Sequence, residues 1–171
     1  QIILKCDKDE LPFVNDNLLP KTFWAGTAYH GAGMDQLAKP LLVKAREQIE
    51  ASLKARPQQS MTRAVYAMLL AEIGERERAN LQISRVLAEL PSERDAETRP
   101  LVLNWAAYVH ATIGMHELAL DELEQALELP FGAAAHEEDL MPWLDPLRKY
   151  PRYQKLIADH MPAPPAGRSS T

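Results

Sequence analysis

The chain has 171 residues, 46% hydrophobic and 25% charged, with 7 glycines and a single cysteine. That length buries a core without covalent staples, and one cysteine excludes both a disulfide framework and a multi-cysteine zinc site. The net charge of −5 argues against nonspecific nucleic-acid binding, and no apolar run reaches the ~20 residues of a membrane span. No signal peptide is visible and the chain does not begin with Met, so we expect a piece of a longer protein or a processed product. Ala and Leu dominate, glycine is scarce and β-branched runs are few, which predicts an all-α chain.

Residues 1–18 carry Ile2, Ile3, Leu4, Leu11, Phe13 and Val14, interrupted by Asp, Asn and Pro12. They read either as the remnant of a preceding repeat or as a short helix with an extended lead-in. Three similar segments then follow, at 19–59, 60–99 and 100–132. Each contains a glycine, four residues and an alanine: Gly33 to Ala38, Gly74 to Ala79, Gly114 to Ala119. The glycines are 41 and 40 residues apart. Seven residues before each lies a small residue, Gly26, Ala67 or Ala107. Beyond each come Leu42/Ala45, Ile83/Val86 and Leu123/Ala126, and the helical arms end near Pro57, Pro91 and Pro130. The glycine supplies the left-handed residue that closes a first helix, and an Asp or Glu then favours the positive end of a second. A fixed period of this size is the mark of stacked hairpins that cannot bury their apolar faces singly. Pro57 comes late, which predicts about two extra turns for the second helix of the first hairpin. Pro40 near the start of that helix is expected to lie within its first turn.

Residues 133–160 are expected to form a C-terminal cap: after a loop over 131–139, residues 140–160 read as a short turn of helix and then a final helix from about Pro151. Trp143, Leu147, Tyr153, Leu156 and Ile157 would face the last hairpin, with Arg148, Lys149, Arg152 and Lys155 outward. Residues 161–171 read as a disordered tail by composition.

The spacing of Gly26, Gly33, Ala38, Leu42 and Ala45 and of their counterparts resembles the tetratricopeptide repeat family. The resemblance covers roughly residues 19–130. It departs where the family's tryptophan is Thr22, Arg63 or Leu103, where His110 replaces an aromatic, and in its longer period. It implies antiparallel hairpins stacked as a right-handed superhelix with a C-terminal capping helix. The ending around Leu144-Asp-Pro-Leu-Arg148 is similar to the close of repeat regions in bacterial multidomain signalling proteins, which implies an output domain upstream, such as a kinase or cyclase.

No P-loop, Gly-x-Gly-x-x-Gly, Gly-x-Ser-x-Gly or His-Glu-x-x-His motif occurs. His30 and His110 stand on first helices and read as polar points of a groove. His136-Glu-Glu-Asp139 reads as a solvated loop and Cys6 as an inert thiol. No enzyme activity, cofactor or metal is expected.

In the resembled family the first helices line a concave face. The residues so placed include Phe23, Thr27 and His30, then Met61 and Met68, then Asn104, Tyr108 and Thr112. Trp24 and Trp105 stand between groove and core. No Lys or Arg occupies these positions, which argues against gripping a peptide's terminal carboxylate. An apolar, Met-lined groove suits an amphipathic helix, an apolar peptide or a neighbouring domain. Tyr108 and Met68 are expected to be partly exposed anchors. A second surface is acidic: residues 100–147 hold nine acids and no Lys or Arg. It reads as a solvated face neutralised by the basic C-terminal segment, or as a dock for a basic partner through Asp121, Glu122, Glu124 and Glu128. The expected role is a noncatalytic protein-interaction module in the cytoplasm, or in the periplasm if an upstream span anchors it. The alternatives are self-association into a homo-dimer and the repeat portion of a larger enzyme.

Overall fold

The structure, a computed structural model, describes residues 7–12, 18–89, 98–129 and 142–161. Ile2, Ile3, Leu4, Cys6, Phe13, Val14, the 131–139 loop, the side chain of Trp143 and the tail beyond Met161 lie outside them. The chain divides into two compact units, Gln1–Pro91 and Ser92–Thr171.

In the first unit, strands β1 (Glu10–Pro12) and β2 (Leu18–Pro20) pair antiparallel, with Leu11 opposite Leu19. Two helical hairpins follow: α1 (Lys21–Gly31) with α2 (Asp35–Ala55), and α3 (Ser60–Glu72) with α4 (Arg76–Glu89). In the second unit, α5 (Thr98–Thr112) pairs with α6 (His116–Glu128). A 3-10 helix (Pro142–Leu147) and α7 (Pro151–His160) complete it. Among the described residues the fold is helical apart from the two short strands, as composition predicts.

The three hairpins close identically. Gly33, Gly74 and Gly114 have φ of +70°, +84° and +88°, a region that L side chains rarely adopt. Each glycine N–H donates to the carbonyl three residues back, and the next N–H to the carbonyl five back. These are Gly33 to His30 with Met34 to Tyr29, Gly74 to Ala71 with Glu75 to Leu70, and Gly114 to Ala111 with Met115 to His110. This pair of bonds satisfies carbonyls left open at a helix C-terminus. The second helix starts at once, with Ala38, Ala79 and Ala119 donating to Met34, Glu75 and Met115.

The small residues sit where the helices cross. Ala38, Ala79 and Ala119 are buried, as are Gly26, Ala67 and Ala107. A Cβ on Gly26 would lie 2.6 Å from Leu42 Cδ2 and 3.2 Å from the Leu42 backbone nitrogen, so α1 approaches α2 through that glycine. Leu42, Ile83 and Leu123 are buried, with Ala45, Val86 and Ala126 beside them in sequence.

The second helices end two residues before Pro57, Pro91 and Pro130. Helix α2 has 21 residues against 14 and 13 for α4 and α6, the expected two extra turns. Pro40, however, is the sixth residue of α2 and not in its first turn. Pro40 has no N–H to give to the Gln36 carbonyl one turn back, and both residues are exposed. Where it is described, the lead-in is extended and not helical. Its second strand packs on α1 and α2, with Leu19 fully buried. Lys21 seals the junction, its N–H donating to the Asp9 carbonyl and its ammonium lying 3.2 Å from the Asp9 carboxylate.

The cap is present in the second unit. The 3-10 helix packs on α5 and α6, and α7 on α6. Leu144, Leu147, Tyr153, Leu156 and Ile157 join Ala107, Ala119, Leu120, Leu123 and Leu127 in one apolar cluster.

Candidate interaction surface

The expected groove residues divide by burial. On α1, Phe23 is buried and meets Trp24 edge-on, with ring centroids 5.5 Å apart. Thr27 is half-buried and turns its hydroxyl back to the carbonyls of Phe23 (3.1 Å) and Trp24 (3.2 Å). His30 is exposed and its Nδ1 lies 2.8 Å from Asp35 Oδ1. On α3, Met61 is buried and Met68 half-buried. On α5, Asn104 and Thr112 are half-buried, as are Trp24 and Trp105. Tyr108 is only 8% exposed, which corrects the expectation of a partly exposed anchor. The cause lies in α5 itself. Val102, Leu103, Ala106, Ala107, Tyr108, Val109, His110 and Ala111 are all buried, so the helix is covered almost all round. Phe23 and Met61 likewise belong to the core and not to an accessible face. What remains accessible from the expected set is Thr27, His30, Met68, Asn104 and Thr112.

His110 is not a groove residue. It is buried, and its Nδ1 lies 2.6 Å from Glu122 Oε2, also buried. Burial pushes the Glu122 carboxyl above the ordinary range, opposed by the hydrogen bond and charge of His110. Glu122 was expected on an outer acidic face and is instead a core residue.

The rest of that face is largely occupied from within the same unit. Arg152 of α7 reaches Asp121 Oδ1 and Glu124 Oε2, both at 2.6 Å, and Glu117 at 3.5 Å. The Glu124 and Asp121 carboxylates raise the guanidinium's affinity for its proton further. The neutralised face is therefore observed, with Arg152 turned toward α6 and Lys149 and Lys155 outward. Tyr150 adds a 2.6 Å bond to His116 Nδ1.

A denser polar network joins α2, α3 and the α4 turn. Tyr66 donates its hydroxyl to Glu50 Oε1 at 2.5 Å, and Arg78 Nη2 reaches the same oxygen at 2.8 Å. Arg78 also bonds Glu75 and the Tyr66 hydroxyl, and Arg46 meets Glu75 at 2.6 Å. Burial and the Glu50 carboxylate push the Tyr66 phenol well above its usual range. The Tyr66 bond, with Arg78, holds Glu50 below the usual carboxylate range against the cost of its burial. No nucleophile and base are paired here, so the network fastens helices.

Sequence reasoning missed the exposed apolar side chains at two of the turns. Met34 and Leu37 are 50% and 53% exposed, and Met115 and Leu118 are exposed at the same offsets from Gly114. The shared Gly-Met-x-x-Leu-Ala string was the available signal. In the middle hairpin the same two positions are Glu75 and Arg78. Among the described residues no three of His, Cys, Asp and Glu converge as metal ligands, and no helix is long and apolar enough to cross a membrane. His136 and its acidic neighbours lie outside the described residues. Comparison with protein-family models, with curated proteins and with solved structures returns no match.

Proposed function

We propose that the chain is a noncatalytic protein-interaction module built of tetratricopeptide-like hairpins, serving a bacterial signalling protein. Its partner is an amphipathic helix, an apolar peptide or a neighbouring domain. The observation that carries this reading is the threefold recurrence of one glycine turn with the same main-chain bonds and the same buried alanine after it. Repeated hairpins of this kind present extended helix faces suited to binding. The contact residues are Thr27, His30 and Met68 in the first unit and, separately, Asn104 and Thr112 in the second, each accessible to some degree. Met68 offers an adaptable apolar contact, and Asn104 and Thr112 add polar ones.

A photoreactive side chain placed at Met68 or Thr112 in cells tests the proposal, with exposed Lys54 of α2 as control position. A discrete crosslinked protein is expected at either of the first two sites and not at the third. With that partner purified, Met68→Ala is expected to weaken binding by about 1 kcal/mol. Equal crosslinking at Lys54, or no binding by purified components, counts against it.

A second reading, self-association, rests on the exposed Met34/Leu37 and Met115/Leu118 pairs. Light scattering over a concentration series decides it: a dimer abolished by Met34→Glu with Leu37→Glu supports this reading, and a monomer throughout removes it.

A further inference from the structure

In the second hairpin the side chains one and four residues past the turn glycine are engaged by the second helix of the hairpin before it. Glu75 meets Arg46 of α2 at 2.6 Å, and Arg78 meets Glu50 of α2 at 2.8 Å. From Glu75 to Arg78 the contact moves forward along α2, from Arg46 to Glu50, so the two second helices run in the same direction there. The same positions past Gly33 hold Met34 and Leu37, which are 50% and 53% exposed. Further spacings of four and three carry this face of α2 through half-buried Leu41 to exposed Lys44. Such spacing keeps all four residues on one side of a helix, over about three turns. In the second hairpin the positions matching Leu41 and Lys44 are Gln82 and Arg85, so there the whole side is polar. Gln48, the next residue of the α2 face, accepts a hydrogen bond from Thr22 at 2.7 Å, which closes the open run at that end.

Size and charge say what covers this face. Two half-exposed side chains and one half-buried one fall well short of the ~800 Å² per partner that a stable dimer takes. A second copy's α6 offers no matching apolar side either, because Leu123 and Leu127 are buried in the cap cluster. A single helix laid along three turns fits the stripe. No ion pair among the described residues engages Lys44, whereas Asp35 at the other end is held by His30 at 2.8 Å. The charge left open on the face is therefore positive and lies at its C-terminal end.

We propose that the Met34–Lys44 face of α2 docks one amphipathic helix of a partner protein, running parallel to α2, with apolar residues against Met34, Leu37 and Leu41 and an acidic residue against Lys44. The direction is that of the contact between α4 and α2, with apolar side chains replacing its ion pairs. The proposal rests on reading the chain as an interaction module and gives that module a further surface, separate from Met68.

A synthetic helical peptide titrated into the isotope-labelled full chain tests this. Its three leucines stand four and then three residues apart, and a glutamate follows four residues later. Chemical-shift changes are expected along Met34–Lys44. Leu37→Asp is expected to weaken binding roughly tenfold. Exchanging the peptide's glutamate for lysine is expected to weaken it about threefold, and Lys44→Glu to reverse that preference. Met68→Ala is expected to leave peptide affinity unchanged, which separates failure of this face from failure of the contact residues named above. No saturable binding, shifts centred on another element, or an affinity indifferent to Leu37→Asp overturns the proposal, and so does a dimer that Leu37→Asp dissolves. The glutamate and lysine peptides are also compared on the unaltered protein, so the test survives a variant that fails to fold; equal affinities there overturn the proposal.

Discussion

Ala38, Ala79 and Ala119 stand five residues past a turn glycine and have lost nearly all contact with water. A methyl group there sets how closely two helix backbones approach. Ala79→Leu overpacks the crossing and is expected to cost about 1–3 kcal/mol. An unchanged melting curve for that variant would break the shared register. Tyr66 makes a different kind of contact, a buried ring whose hydroxyl donates to Glu50. Tyr66→Phe removes that donor at an expected cost of about 0.5–1.5 kcal/mol in urea unfolding at neutral pH. Because Glu50 is held below its ordinary range, its contribution is present above the unfolded value, about 4.3, and fades as the pH falls through the lowered one. The difference between wild type and Tyr66→Phe should therefore shrink in acid; a constant difference to pH 2 would contradict the coupling. The crossing alanines were legible because spacing alone marks them. Tyr108 and His110 were not. Helix α5 is apolar on nearly every side, so periodicity does not say which face is open, and the partner of His110 lies across a turn whose geometry no local pattern displays.

Helices explain why the lead-in folds as it does. Thr22, the second residue of α1, donates to Gln48, so the last turns of α2 run past the beginning of α1. Ile49 and Leu53 on that overhang are buried, and β2 packs against α2. A ribbon of two three-residue strands covers what a longer first helix would have covered in an even hairpin. Strands this short show no period-two alternation, which is why the sequence left them unread. The cap was legible for the opposite reason. Tyr153, Leu156 and Ile157 fall at helical spacing, with Pro151 at the start of α7. A chain ending at residue 139 loses the 3-10 helix and α7 and exposes Leu120, Leu123 and Leu127. It is expected to aggregate or to melt without cooperativity. A monodisperse, cooperatively melting truncation would show that the cluster does not need its cap.

Over the whole molecule, charge is arranged so that an acidic stretch meets cations from the chain's own end. Arg152 gathers three carboxylates of α6 in a half-exposed setting, where each pair contributes little singly and screening is strong. Arg152→Glu replaces a cation by a fourth acid. It is expected to lower the melting temperature at low ionic strength and to recover much of that loss at 0.5 M salt, where the screening length is about 4 Å. An equal loss at both ionic strengths would place the role of Arg152 in packing. The turns follow a separate economy. Each hairpin is closed by main-chain bonds and one left-handed glycine, and the six side chains following Gly33, Gly74 and Gly114 agree only at alanine in all three copies. A hairpin closed by its main chain tolerates change at nearly every side chain of its turn, provided the glycine and the alanine stay.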